Sequence, residues 1–173
     1  LVDKTRGPWY APAGEQNGVL NTVIDIEEYP NKADRDAMYL EQNRVNPFLK
    51  LRNGNIICYG EKTLQRKNST LTKIHTRRML IALKKELRNS IRGFIFLPTM
   101  SENISTIRSI ATSIVERYKM GGGISAYRVV CDSSNNTSET LQQDILNLDI
   151  AVVPTGTIEQ VNINFTLEKD ASN

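Results

Sequence analysis

Apolar residues recur along this chain with two different periods, and the places where the period switches mark its elements. In residues 19–26 the β-branched Val23, Ile24 and Ile26 predict a strand, which Tyr29-Pro30 breaks. Asn31 is placed to cap a short helix with Asp34 and Asp36 near its start and Ala33, Ala37 and Leu40 on one face, ending before Asn46-Pro47. Residues 48–51 and 56–59 flank the turn-forming Asn53-Gly54-Asn55 and predict a hairpin or two consecutive strands. A long helix over 71–91 follows. Its apolar stripe is Met79, Leu80, Leu83, Leu87 and Ile91, and a neighbouring face gathers Lys73, Arg77, Lys84, Lys85, Arg88 and Arg92, interrupted by Ile81. Gly93 ends this helix, and the apolar run 94–97, bounded by Gly93 and Pro98, predicts a short buried strand.

The second half repeats the alternation of helix and strand. Thr99 with Glu102 forms a capping-box pattern, and Ile104, Ile107, Ile110, Ala111, Ile114, Val115 and Tyr118 recur at helical spacing until Gly121-Gly122-Gly123 stops them. Strands are expected over 125–131 and 148–153, separated by a polar turn rich in Asn and Ser over 132–140. A last strand over 158–167 alternates Val161, Ile163, Phe165 and Leu167 against Asn162, Asn164 and Thr166. These elements sum to an α+β fold: two long amphipathic helices lay their stripes on a mixed β-sheet containing 94–97, 125–131 and 148–153.

With 173 residues the chain has the length of one domain, or one domain with a small satellite. Hydrophobic residues make up 39% and the longest apolar runs are only strand-length, so neither a membrane span nor a signal peptide is visible and the chain reads as soluble. Cys58 and Cys131 each sit in an apolar run, which favours two buried free thiols and a reducing compartment over a zinc site or a disulfide. The sequons at Asn68, Asn103, Asn135, Asn136 and Asn164 are then chance spacings in an Asn-rich chain. A net charge of +3 is too small to imply nucleic acid by itself. The absence of an initiating methionine leads us to expect a piece of something longer.

The residues offer little catalytic chemistry. His75 is the only histidine and lies among Lys73, Arg77 and Arg78, with no carboxylate nearby in sequence to orient it. The run GNIICYGEKT over 54–63 approximates a phosphate-binding loop, but it has five residues between its glycines, a strand-like interior and Glu61 where phosphate would sit. The triple glycine precedes a strand instead of a helix N-terminus, so it reads as a helix stop. Asp132, Asn135 and Asn136 suit a side-chain-stabilised turn better than a cation site. The basic helix face allows three readings: a solvated surface, a contact for an acidic protein, or a nucleic-acid-binding module, for which it offers only His75 as a reader. Finally, PWYAPAG over 8–14 places the single tryptophan on a stiff, Pro-punctuated path. Trp9 and Tyr10 either cover the edge of the chain's own core or form a docking segment.

Several segments, taken in order, resemble the C-terminal region of contractile tail sheath proteins of bacteriophages and related injection machines. They are PWYAPAG with the following NGVL, NPFLKLRNGNIICYGEKTL, IHTRRMLIALKKEL, CDSSNNTSET and DIAVVPTGTIEQVNINFTLEKD. Their order and spacing cover nearly the whole chain, most closely in the manner of long-tailed myophages. The triple glycine and Gln142-Gln143 fall outside these matched segments.

The resemblance implies that residues 1–32 end an upstream α/β domain and that 33–173 form the sheath C-terminal domain. It implies a structural subunit without enzymatic activity, cofactor or metal, which polymerises around an inner tail tube and contracts to drive that tube through the host envelope. Implied partners are other copies of the chain, the tube protein, and baseplate and tail terminator proteins, with no nucleic acid and no membrane. The implied location is the virion tail, after assembly in the host cytoplasm. A tube-facing helix is expected over 101–119, offering Glu102, Arg108, Glu116, Arg117 and Lys119. The terminal strand, with Ile158, Val161, Ile163, Phe165 and Leu167, is expected to be exchanged between subunits, because an unpaired edge that is a liability in a monomer becomes a linker in a polymer.

Overall fold

The computed structural model describes residues 6–40, 42–67, 69–159 and 161–163. In chain order the elements are α1 (Gly14–Asn17), α2 (Lys32–Tyr39), β1 (Phe48–Lys50), β2 (Ile56–Cys58), α3 (Ile74–Ile91), α4 (Ser101–Met120), β3 (Ile124–Val130), α5 (Ser138–Gln142) and β4 (Asp149–Pro154). Short 3-10 turns at Thr70–Thr72 and Arg92–Phe94 bracket α3.

The core forms where the two long apolar stripes meet one face of β3 and β4. Met79 and Leu83 of α3, Ala111, Ile114, Val115 and Tyr118 of α4, and Ile124 and Val129 of β3 make one buried cluster, with Leu148, Ile150 and Val152 packed against it. Periodicity thus placed the helices correctly, because a stripe three to four residues apart has only one way to be removed from water. Strand β4 runs antiparallel to β3, from Val130↔Asp149 to Ile124↔Pro154, with a bulge between Ile124 and Ala126. Their connection is closed by side chains. Asn135 donates to the carbonyls of Val130 and Asn147, and Asn136 exchanges hydrogen bonds with Asn147, accepting from its N–H at 2.6 Å. The turn expected from the Asn-rich sequence therefore forms through its amides.

The α+β class holds, but the sheet is not mixed. Among the described residues there are two separate antiparallel pairs, β1–β2 and β3–β4. The run 94–97 joins neither: it forms the turn between α3 and α4, with Ile95 61%, Phe96 101% and Leu97 49% exposed. A short apolar run between Gly and Pro is ambiguous by periodicity, and here it lies at the end of a helical hairpin with no strand beside it. The strand expected over 19–26 reduces to one bridge, Val19↔Ile57, after which Ile24 stands 93% exposed. Its β-branched residues favour a strand only where a pleated surface receives them. The capping box at Thr99 also fails to form. Met100 is the N-cap of α4 and makes no side-chain cap, while the Asn103 side chain donates to the Pro98 carbonyl at 2.8 Å. The box at Asn31 and Asp34 does form, in both directions. Cys131 is buried and Cys58 half-buried, both as free thiols.

Trp9 lies against this core. Its ring meets Tyr118 edge-on with centroids 5.2 Å apart, and its indole N–H is buried without an acceptor among the described residues, so shape holds it in place. The triple glycine accommodates it. Gly122 takes φ +82°, which turns the chain, and a Cβ on Gly121 or Gly123 would stand 2.4 or 2.6 Å from Trp9 atoms.

Gly123→Ala is accordingly expected to destabilise the fold by about 1–3 kcal/mol through overpacking. In a Trp9→Ala background the same change should cost clearly less, because the obstructing ring is gone. Chemical denaturation of the four proteins measures this coupling, and strictly additive losses would contradict the packing.

Candidate assembly surfaces

The segment that follows β2 runs beside the start of α3 because backbone and side-chain bonds pin it there. Asn46 receives the Lys62 N–H and donates to the Lys62 carbonyl, both at 2.8 Å, and Ile74 N–H donates to the Glu61 carbonyl at 2.9 Å. This places Glu61 against His75 on the first turn of α3, with Nδ1 and Oε2 2.6 Å apart and the side chains only 5% and 3% exposed. The other ring nitrogen, Nε2, lies 3.2 Å from the Thr155 carbonyl. Both of these partners are acceptors, which favours the imidazolium form, with the Thr76 hydroxyl also 3.2 Å from Nε2.

The same carboxylate accepts the Thr157 hydroxyl on its second oxygen. Two residues on, Glu159 receives Lys73 and the Tyr39 hydroxyl. The chain leaving β4 is thereby held in a polar clasp drawn from α2, the segment after β2, and α3. Burial opposes charge on both central groups, but their mutual hydrogen bond prevails: Glu61, aided by Thr157, is held below the usual carboxylate range, and His75 is raised above its ordinary value. Burial, with Glu159 adding to it, pushes the Tyr39 hydroxyl well above the usual phenol range.

No local pattern marks this pair, since its members are fourteen residues apart and only the tertiary path joins them. The near-miss loop is thus resolved. Ile56–Cys58 is strand, Glu61 is internal, and the Lys62 ammonium donates to the Tyr39 carbonyl at 2.6 Å. His75 does have a carboxylate to orient it, but the pair is sealed from solvent and offers no substrate access.

The predicted tube-facing residues of α4 mostly have partners within the chain. Arg117 pairs with Glu86 of α3, Arg108 lies 3.6 Å from Asp132, Lys119 stands 5.5 Å over the Tyr127 ring, and Glu116 bonds the Tyr127 hydroxyl. Glu102 is exposed at the start of the helix. Arg108 and Glu116 also line an open groove of about 950 Å³ beside Cys131 and Leu141. Of the docking pair, Trp9 packs on the chain's own core, while Tyr10 is at the surface with Arg6 over its ring at 5.9 Å. Ile158, Val161 and Ile163 are 85%, 72% and 71% exposed and lie in no strand, whereas Phe165 and Leu167 lie outside the described residues.

The clasp gives the fold a pH optimum. A raised His75 contributes fully below its ordinary value of 6.5 and loses that contribution as pH rises through its higher folded value; a lowered Glu61 contributes above its ordinary 4.5 and loses it as pH falls through its lower folded value. Stability from this pair should therefore peak between those two ordinary values, and the thermal midpoint of Glu61→Gln should show a flatter pH profile. Glu61→Ala, which leaves the imidazolium buried and unpaired, is expected to cost about 3–5 kcal/mol. A wild-type profile indistinguishable from that of Glu61→Gln would refute the pairing.

No family model matches the chain. It is 28% identical over 164 residues to the tail sheath protein of Enterobacteria phage T4, an overlap of 95% of this chain and 25% of that protein. The tail sheath protein of Vibrio phage KVP40 gives 28% over 164 residues, 95% and 24% of the two chains, and that of Salmonella phage ViI 23% over 163 residues, 92% and 25%. Among solved structures, the anti-feeding prophage baseplate superposes with a TM-score of 0.85 at 18% identity over 97% of this chain and 47% of that one. The sheath complex of the extracellular contractile injection system PVC in its contracted state gives 0.85 at 17%, covering 96% and 48%. The chain thus spans about a quarter of the length of the sheath proteins it matches and about half of the structural neighbours. Through nearly its whole length, this chain is similar in sequence to phage tail sheath proteins and shares its fold with chains of contractile injection assemblies.

Proposed function

We propose that this chain belongs to the structural subunit of a contractile phage tail sheath, which polymerises with copies of itself around an inner tail tube and shortens to drive the tube through the host envelope. The observation that carries this reading is the match to tail sheath proteins over 95% of the chain. A mechanical, non-enzymatic role suits those relatives, and the nucleic-acid alternative on the basic face of α3 gains no support from them. Baseplate and tail terminator proteins would be the end partners of such a polymer in the virion, after assembly in the host cytoplasm. Residues 1–32 would close an upstream domain, with 33–173 as the C-terminal domain.

In this reading the segment beyond the clasp is the linker between subunits. Its backbone would add to a neighbour's sheet, and the apolar face of Ile158, Val161, Ile163, Phe165 and Leu167 would set register, since a one-residue slip turns that face outward. Truncation after Glu159 retains the clasp while removing the alternating segment. The shortened protein is expected to unfold at the same denaturant midpoint but to remain monomeric in sedimentation. Sheath-like polymers of ordinary length from it would eliminate strand exchange.

The polar side of α4 is the proposed tube contact. Arg108 and Arg117 hold exposed intrachain pairs worth roughly 0–1 kcal/mol each, weak enough to change partner. Reversing both charges should reduce co-assembly on tubes while sparing tube-free polymers, as scored by electron microscopy. Equal loss of both kinds of polymer would remove α4 from that role.

A further inference from the structure

Two exposed surfaces of opposite charge lie at opposite ends of α3. One is the tip of the α3–α4 hairpin, where Ile95, Phe96, Leu97 and Met100 project with exposures of 61%, 101%, 49% and 59%. Phe96 holds φ 72°, a left-handed conformation uncommon for a bulky residue, and its ring is fully exposed. Arg88 and Arg92 precede the tip and the exposed Glu102 follows it, leaving a net positive charge there, and neither arginine takes part in a salt bridge among the described residues.

The other surface is a groove of about 730 Å³ beside α2, lined by Glu28, Asp34, Ala37, Met38 and Val45 among others. Helix α2 buries none of its residues in the core, so its apolar side faces this groove and solvent instead. Glu27, next in sequence to the lining Glu28, is also exposed, and neither Lys32 nor Arg35 lines the groove. The groove sits at the N-terminal end of α3: Tyr39 at the end of α2 accepts from Lys62, and Lys62 bridges to Lys73, the N-cap of α3. The eighteen residues of α3 set the two surfaces about 27 Å apart, at roughly 1.5 Å per residue. The tip therefore cannot reach the groove of its own chain.

We propose that the α3–α4 tip of one copy docks into the α2 groove of the next, Phe96 entering between Ala37, Met38 and Val45 while Arg88 and Arg92 face Glu28 and Asp34. Because the two surfaces differ and lie far apart, the contact is heterologous, and repetition yields an open chain instead of a closed dimer. Complementary charge orients the encounter, and the apolar tip supplies the buried centre. The inference rests on the self-assembling sheath reading and names one of its subunit contacts.

The test mixes variants of the protein in its assembling form. Leu97→Cys and Ala37→Cys proteins, each carrying one added thiol, are expected to form a mixed disulfide on oxidation, while either alone and the unmodified protein, with Cys131 buried and Cys58 half-buried, do not. Arg88→Glu with Arg92→Glu should weaken self-association about tenfold, and so should Glu27→Lys with Glu28→Lys, which leaves the helix-capping Asp34 in place. Mixing the two reversed proteins should restore association across the altered interface and shows at once that both are folded. Polymers that assemble without the 97–37 cross-link, or reversals that the complementary reversal does not rescue, would overturn the contact while leaving the sheath reading intact; the second result would assign the tip to another partner, such as the tube. Failure of the unmodified protein to polymerise at all would overturn both.

Discussion

A carboxylate removed from water has to be paired, and in this chain that requirement connects three segments that hydrophobic packing leaves separate. The main core joins α3, α4, β3 and β4, while β1 and β2 bury Ile56 and Ile57 in a pair of their own. Glu61 lies at the junction. It engages His75 on α3 and Thr157 beyond β4, so the small pair, the long helix and the departing chain share one charge. Replacing such a pair by apolar residues would forfeit little stability, but removing one member strands the other. The pair consequently specifies how the parts are arranged more than it adds to their cohesion.

The two long helices divide their surfaces differently. Helix α4 is anchored along its length by Ile107, Ala111, Ile114, Val115 and Tyr118, and its charges reach sideways to Glu86, Asp132 and Tyr127. The fully buried residues of helix α3 lie in its first half, from His75 to Leu83, with Leu87 still packed on the core and Lys84, Lys85 and Arg88 exposed. One helix is a wall of the body and the other partly a projection. That difference, more than the charge of either face, separates the surfaces available for contact from those already used.

What the sequence disclosed and what it concealed follow from the range of the interactions concerned. Helix stripes, the Asn31 cap, the β1–β2 turn and the β3 and β4 runs are local patterns, and each forms close to where it was expected. The 94–97 run and the 19–26 run carried strand composition without a partner strand, and pairing is not a property of the segment itself. The Thr99 box does not form, because the helix starts one residue later with Met100, which has no capping oxygen, at the N-cap. His75 seemed isolated for the same reason: its carboxylate comes from across the fold. Only the resemblance to sheath proteins, spread over many weak segments, spoke to function, and no single residue could have done so.

The way the chain leaves β4 also determines how the fold meets a mechanical load. Ile124 and Pro154 lie at the same end of their ladder, so a pull on the following residues would peel β4 from β3 one hydrogen bond at a time, beginning at the bulge. Peeling is the geometry in which a ladder is weakest, since its bonds resist singly and not together. Tension applied beyond Glu159, however, arrives first at Lys73 and Tyr39, then at Glu61 through Thr157, and only afterwards at the Thr155 N–H held by the Gly123 carbonyl. The load is passed to α2 and α3 before the strand pair feels it. Tension on the segment beyond β4 would in this way be taken up before it could unravel the sheet from which that segment emerges.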